Sequence, residues 1–191
     1  MTSSKGGDES GPPGARLSSS RIYTGRVLNL DVDTVRFPNG TIGELEMIRH
    51  PGAAAVLPFL SDPTEDDPQI LLLKQYRYAA GEYLYEIPAG RLNVGEEPLD
   101  CARRELKEET GCVAERMKLL TTIYTTPGFT DERIHLFMAE GLTRGEATPE
   151  PDEHIELETM PVSQALILIR DGVLKDSKSA LAILYAAGYR R

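Results

Sequence analysis

The feature that most constrains this chain is an acidic helix that directly follows a glycine-containing loop. The segment "EEPLDCARRELKEETG" has a proline at a first-turn position and ends on Gly111, where a left-handed helix cap would lie. We therefore predict a helix over about residues 97–110. Three carboxylates, Glu105, Glu108 and Glu109, fall within one turn of this helix, although like charges three and four residues apart repel each other.

The helical repeat places these carboxylates beside an apolar stripe. Leu99, Ala102 and Leu106 share one face of the helix, and two of the three carboxylates lie on its flank. Clustered carboxylates at the border of a core are costly unless a cation neutralises them, and oxygen ligands suit a hard divalent ion such as Mg2+. The alternative is a solvated acidic face, steadied by an ordinary ion pair between Arg104 and Glu108.

Composition limits the partners and the compartment of this chain. Its 21 Lys and Arg residues against 30 Asp and Glu residues give a formal net charge of -9, which argues against a large surface for nucleic acid or for an anionic membrane. The sequence has neither the apolar core of a signal peptide nor an apolar run as long as a membrane span. We therefore expect a cytoplasmic protein whose partners include neither nucleic acid nor a membrane. The three histidines are scattered, and we assign them no chemistry.

The order of the predicted elements gives a mixed α/β protein. Residues 1–20 are rich in Gly, Ser and Pro and predict a disordered tail, whereas residues 21–49 predict β-strands with a turn at "PNG". Residues 50–191 predict a larger domain with strands on both sides of the acidic helix. Its predicted strands are "GAAAVLPFL", "QILLLKQYR", "YLYEIP", "KLLTTIYTT" and "RIHLFMAEGL". Helices are predicted at "PVSQALILIRDG" and "KSALAILYAAG", "AGRLNVGEE" is interpreted as a loop, and no strand is predicted in the acidic segment "EATPEPDEHIELETMP".

The segment "GRLNVGEEPLDCARRELKEETGC" resembles the Nudix box. Each of its fixed positions is filled, namely Gly90, Glu96, Arg104, Glu105, Leu106, Glu108, Glu109, Gly111 and Cys112. A match of this length, in a loop followed by a helix, is far more specific than a short motif. The resemblance implies a hydrolase that cleaves a diphosphate linked to a further group, on a Nudix-type α/β/α sandwich with a mixed sheet.

The same resemblance implies a set of metal ligands and their neighbours. Glu105 and Glu109 would bind metal together with the backbone carbonyl of Ala89. Glu108 would be either a further ligand or the partner that orients Arg104. Glu96 would face the same site and contact substrate. The expected cofactor is Mg2+, with Mn2+ as the alternative ion.

Two segments outside the box resemble ADP-ribose pyrophosphatases. In "KQYRYAAGEYLYEIPAG", which precedes the box, Arg77 would contact phosphate. In "TTPGFTDERIHLF", Pro127 lies sixteen residues beyond Gly111, a spacing that marks this subgroup. The resemblance therefore narrows the substrate class to nucleoside diphosphate sugars.

The loop that contains "TTPGFTDE" carries three expected site residues. Its last acid, Glu132, would be the catalytic base, Thr126 would hydrogen bond to substrate, and Gly128 would let the backbone approach the terminal ribose. Glu153, in a later acidic segment, is the competing candidate for the base. The sequence leaves this choice open.

The N-terminal segment "TGRVLNLDVDTVRF" resembles strands that related enzymes exchange between two subunits. A homodimer follows from that resemblance. Arg26 and Val27 would then approach the base of the nucleotide, and Glu46 would accept a hydrogen bond from the adenine amino group. Ordinary strand roles for these residues are the alternative.

The resulting hypothesis is a metal-dependent hydrolase that cleaves the diphosphate of ADP-ribose to AMP and ribose 5-phosphate. One alternative is a pyrophosphatase for another nucleoside diphosphate sugar, of the GDP-mannose or UDP-glucose type. A second is a non-catalytic Nudix domain that senses a nucleotide. The complete set of box carboxylates argues against the second alternative.

Overall fold

The computed structural model describes residues 14–148 and 154–188, and within those ranges the chain forms ten strands and three helices. The strands are β1 (Arg16–Thr24), β2 (Asn29–Arg36), β3 (Ile42–Arg49), β4 (Ala53–Pro58), β5 (Gln69–Arg77), β6 (Glu82–Glu86), β7 (Ala89–Arg91), β8 (Cys112–Tyr124), β9 (Arg133–Arg144) and β10 (Ile155–Pro161). The helices are α1 (Pro98–Thr110), α2 (Val162–Arg170) and α3 (Ser177–Gly188). None of these helices has the length and apolar character needed to cross a membrane, a finding that applies to the described residues alone.

The described residues divide into two compact units. The first unit contains the residues up to His50 together with Thr125–Glu132, and the second contains those of Pro51–Tyr124 and Arg133–Arg191. The first unit is built on an antiparallel sheet in the order β1-β2-β3. The expected turn at "PNG" is present and joins β2 to β3. The Phe37 N–H closes this turn by donating to the Thr41 carbonyl at 2.8 Å.

The predicted boundary of the N-terminal tail is wrong for residues 16–20. These residues belong to β1, which is exposed along its whole length and therefore lacks the apolar pattern that would have marked it as a strand. Backbone pairing with β2 orders it instead, with Arg16 opposite Val35 and Ser20 opposite Val32. Residues 1–13 lie outside the described part of the chain.

The second unit has the layers of an α/β/α sandwich. A four-stranded sheet runs in the order β7-β4-β9-β8, and a three-stranded sheet runs in the order β10-β5-β6. Strands β4 and β9 pair in parallel whereas the other pairs are antiparallel, which confirms the expected mixed sheet. Every residue of β4 is buried, and its side chains alternate between two core clusters.

Those two clusters explain where the helices lie. Ala54 and Val56 pack in one cluster with residues of α1, whereas Ala55 and Leu57 pack in the other with residues of α2 and α3. Since β4 contributes side chains to both clusters, both of its faces are covered. Its continuous apolar sequence is typical of such a strand.

Helix α1 begins and ends close to the predicted residues, but its buried face is rotated. Gly111 caps it in the left-handed conformation, with a φ of 71°. Leu99 is 37% exposed, which contradicts its predicted place in the apolar stripe, and Cys101 is fully buried instead. The buried positions begin at Cys101 and Ala102 and recur one and two turns later at Glu105 and Glu109.

Two short strands were missed by sequence reasoning. Strand β7 lies within the segment predicted as a loop, and β10 lies within the acidic segment. Each strand gains its conformation from a partner distant in the sequence, since Ala89 pairs with Ala55 of β4 and Leu157 pairs with Leu73 of β5.

Replacement of the capping glycine provides a test of how α1 ends. A Cβ at Gly111 would lie 2.5 Å from the Gly145 carbonyl oxygen, whereas Gly95 has a similar φ of 78° and open space around it. Gly111→Ala should therefore lower the free energy of unfolding by about 3 kcal/mol, since it adds overpacking to backbone strain. The matched control Gly95→Ala should cost only about 1 kcal/mol. Equal losses in urea unfolding would contradict this account of the cap.

Candidate active site

Arg104 lies at the centre of a cluster of carboxylates at α1. Its Nε and Nη2 atoms donate to the two oxygens of Glu96 at 2.8 and 3.0 Å. Its Nη1 atom donates to Glu105 Oε1 at 2.5 Å and to Glu108 Oε2 at 3.0 Å. The expected pair of Arg104 and Glu108 is thus present, but one guanidinium serves three carboxylates, which offsets part of the repulsion among them.

These contacts change proton affinities within the cluster. Hydrogen bonds from Arg104 lower the pKa of Glu96 to about 2. Hydrogen bonds to Glu96, opposed by burial and reinforced by the charge of Glu105, raise the pKa of Arg104 above its ordinary value. Glu96 and Arg104 therefore keep their charges at neutral pH.

Glu105 is held directly against the backbone of Gly90. A Cβ at Gly90 would lie 1.8 Å from Glu105 Oε1 and 2.2 Å from its Cδ, so no other residue type fits without displacing the carboxylate. Glu105 is only 8% exposed. Because Gly90 has no side chain, the Glu105 carboxylate can lie directly against its backbone.

Glu109 is held by the residue that precedes this glycine. The Ala89 N–H donates to Glu109 Oε2 at 3.1 Å, and Glu109 is 4% exposed. Because β7 pairs with the buried strand β4, its backbone provides a rigid support for both glutamates. The structure thereby brings Ala89 together with the two glutamates expected to bind metal.

Arg77 takes part in a second charged cluster in the same unit. It donates to both oxygens of Glu86, at 2.6 and 2.8 Å, and Lys178 Nζ donates to Glu86 Oε2 at 2.6 Å. Burial raises the pKa of Glu86, but the hydrogen bonds from Arg77 and the charge of Lys178 outweigh it and leave the pKa below its ordinary value. The hydrogen bonds to Glu86, and to a lesser extent the charges of Glu86 and Glu109, raise the pKa of Arg77.

Three further predicted residues lie in a loop of the first unit. Thr126, Gly128 and Glu132 lie in its loop Thr125–Glu132, where the Phe129 N–H donates to the Thr126 carbonyl at 3.1 Å. Gly128 has open space where a Cβ would stand.

The residues expected to contact the nucleotide base occupy exposed positions of the first unit. Arg26 and Val27 lie in the turn between β1 and β2, and Glu46 lies on β3 opposite Val32. Their roles therefore stay predictions. The competing base Glu153 lies outside the described residues.

Sequence reasoning missed several residues that hold these groups. Lys178 contacts Glu86 across 92 positions of sequence, and the contact between Gly90 and Glu105 is likewise tertiary. In the first unit, Thr125 and His50 contact Glu132, although no role was predicted for either. Among these contacts, only the one between Gly90 and Glu105 had a signal in the sequence, through the glycine of the box.

Comparison with known proteins agrees with the fold and with the resemblance to the Nudix box. Residues 49–181 match the NUDIX domain family. A protein of Bacillus subtilis strain 168 named ADP-ribose pyrophosphatase is 41% identical over 171 residues, which cover 88% of this chain and 90% of the relative. A protein of Bacillus methanolicus named methanol dehydrogenase activator is 40% identical over 171 residues, with the same coverage. The chain belongs to the NUDIX family.

A solved structure supports the fold independently. The crystal structure described as an ADP compounds hydrolase superposes with a TM-score of 0.78 at 19% sequence identity. The match covers 93% of this chain and 94% of that one. It establishes a shared architecture.

Nudix hydrolases generally need divalent metal ions, and the donor set at α1 fits such an ion. Glu105 and Glu109 provide buried carboxylate oxygens, the ligand type that hard divalent cations prefer. Within the described residues, no three His, Cys, Asp or Glu side chains are grouped so that they could hold a metal ion together. Arg104 contacts Glu105 and Glu108 in this conformation.

A methyl group at the box glycine tests the support of Glu105. Gly90→Ala should weaken Mn2+ binding about tenfold or more, because the carboxylate must leave its place against β7. The measurement is calorimetric titration of the folded protein with Mn2+. Gly95→Ala, which alters a glycine of the same loop where the added methyl meets open space, should retain its affinity. An unchanged affinity in Gly90→Ala would contradict the assigned support.

The buried Glu86 carboxylate yields a prediction on pH. Its folded-state pKa is lowered from 4.5, so its contribution to stability is present above that pH and is lost as the pH falls. Glu86→Gln should cost about 2 kcal/mol at pH 7, and the difference from the parent should shrink in urea unfolding at lower pH. The control Glu82→Gln, whose partner Lys175 is exposed, should cost less than about 1 kcal/mol. A pH-independent difference for Glu86→Gln would contradict the assignment.

Proposed function

We propose that this protein is an Mg2+-dependent hydrolase that cleaves the diphosphate of ADP-ribose to AMP and ribose 5-phosphate. The carrying observation is the pair of buried carboxylates, Glu105 and Glu109, held on the β7 backbone of a NUDIX family member. The substrate assignment draws support from the relative named ADP-ribose pyrophosphatase, which matches nearly the whole length of both chains.

The proposed metal ligands are Glu105, Glu109 and the Ala89 carbonyl, with Glu108 as a further ligand or as the residue that orients Arg104. A bound divalent ion would withdraw charge from phosphate oxygens and help to generate hydroxide from water. Arg104 and Glu96 would fix the orientation of the carboxylates, because their mutual hydrogen bonds join α1 to the preceding loop. Mn2+ is the alternative ion.

Arg77 is the proposed phosphate contact. Its side chain is 40% exposed although it is paired with Glu86, so part of the guanidinium remains accessible to an anion. Its planar fork of donors suits phosphate oxygens. Glu86 and Lys178 would hold the arginine in place while it binds.

Glu132 is the proposed general base, which would accept a proton from the attacking water. Thr126 and Gly128 would contact the terminal ribose, and Glu96 would contact substrate from the box. Arg26, Val27 and Glu46 would contact the adenine within a homodimer that exchanges its N-terminal strands. These assignments depend on the sequence resemblance, whereas the proposed cytoplasmic location depends on composition.

A substrate panel tests the proposal against other nucleoside diphosphate sugars. With Mg2+ present, ADP-ribose should be cleaved with a higher kcat/KM than GDP-mannose or UDP-glucose. In 18O-labelled water the label will enter AMP if the adenosyl phosphorus is attacked and ribose 5-phosphate if the other is attacked. Preference for another sugar nucleotide would overturn the substrate, and absence of any cleavage would favour the nucleotide-sensing alternative.

Neutralisation of one proposed ligand tests the metal site. Glu109→Gln should lower kcat for ADP-ribose at least about hundredfold while the protein stays folded, because an amide of the same size replaces a charged ligand. Glu97→Gln changes an exposed acid at the start of the same helix and should leave kcat unchanged. Full activity of Glu109→Gln would contradict the assignment.

A pair of variants tests the choice of base. Glu132→Gln should lower kcat about hundredfold or more with little change in metal affinity, because a general base contributes about that much. Glu153→Gln should be close to the parent in both respects. The reverse pattern in steady-state kinetics would transfer the role to Glu153.

A further inference from the structure

The carboxylate of Glu132 has a neighbouring side chain at each of its oxygens within the first unit. Thr125 Oγ1 donates to Glu132 Oε2 at 2.8 Å, and His50 Nδ1 lies 3.5 Å from Glu132 Oε1. The Glu132 side chain is 27% exposed and that of His50 is 13% exposed. The carboxylate is therefore partly accessible but has partners on two sides.

The two partners come from fixed parts of the backbone. The Thr125 N–H donates to the Glu132 carbonyl at 3.4 Å, so the first and last residues of the loop are joined. The His50 N–H donates to Asp131 Oδ1 at 2.8 Å, and the Asp131 N–H donates to the Ile48 carbonyl at 3.3 Å. The residues that contact Glu132 are thus tied to its neighbours by separate hydrogen bonds.

We propose that His50 and Thr125 are positioning residues for the carboxylate of Glu132, an inference that rests on the proposed function. A glutamate in a surface loop has three side-chain torsions, of which the last is broad, so a single contact leaves its carboxylate free to turn. The hydrogen bond at Oε2 and the imidazole beside Oε1 together restrict the plane of the carboxylate. Each oxygen has further lone pairs, so the group can still accept a proton from water.

A loop-bracing role for the same residues would predict a different result. Other hydrogen bonds already hold this loop in place. Arg49 Nη1 donates to Asp131 Oδ2 at 3.3 Å, and the Ile48 N–H donates to the Phe129 carbonyl at 2.7 Å. Loss of bracing would change stability and substrate binding. Loss of carboxylate orientation would change kcat through Glu132 alone.

The experiment combines side-chain removal with conservative rescue. Thr125→Val and His50→Ala should each lower kcat for Mg2+ and ADP-ribose about tenfold without a matching rise in KM, because the base is misoriented. Thr125→Ser keeps the hydroxyl and His50→Asn keeps a nitrogen near the Nδ1 position, so both should recover most of kcat. A Thr and a His outside this loop, Thr122 and His135, which contact each other at 2.9 Å, serve as controls, and Thr122→Val and His135→Ala should leave kcat unchanged.

Combination with Glu132→Gln decides between the two roles. In that background, Thr125→Val and His50→Ala should cause no further loss of kcat, because the oriented group is already gone. An equal fold-loss with and without Glu132→Gln, or failure of both conservative variants to rescue, would overturn the inference. The inference would also be overturned if Glu132→Gln lowered kcat but Thr125→Val and His50→Ala left it unchanged. A silent Glu132→Gln would instead overturn the proposed base itself, and absence of cleavage by the parent would overturn the proposed function.

Discussion

The contact between the Glu105 carboxylate and the bare backbone of Gly90 is the constraint on which the rest of the site depends. It requires a glycine at one position and a helix at a fixed distance from it. Helix α1 meets the second requirement by burying Ala102 and Leu106 in the cluster that contains Ala54 of β4. Packing of the core thus determines where the acidic face of the helix lies.

The same arrangement explains how an acidic helix is tolerated at the border of a core. Arg104 neutralises part of the cluster from one side, and the Ala89 N–H of β7 donates to Glu109 from the other. One guanidinium shared among three carboxylates leaves acceptor capacity for a further cation. Binding of a divalent ion to the folded state alone would stabilise the fold as well as supply chemistry.

The sequence supported prediction of the helix, the mixed sheet and the box because each has a local signal. Gly111 marked the end of α1, and the apolar run of β4 marked a strand covered on both faces. Leu99, which the sequence wrongly placed in the apolar stripe, lies in the first turn of α1. That turn directly follows an exposed loop. Strands β7 and β10 could not be predicted, since their partners lie far away in sequence. For the same reason Lys178 and His50 gave no signal.

The most direct test of the central claim is Mn2+ binding by electron paramagnetic resonance in the parent and in Glu105→Gln, with ADP-ribose cleavage followed in the same samples. We expect Mn2+ to bind the parent, cleavage to follow Mn2+ occupancy and to be abolished by a chelator, and both binding and cleavage to be strongly reduced in Glu105→Gln. Equal Mn2+ binding in the two proteins, or cleavage that continues without a divalent ion, would contradict the claim that these buried carboxylates hold a catalytic metal.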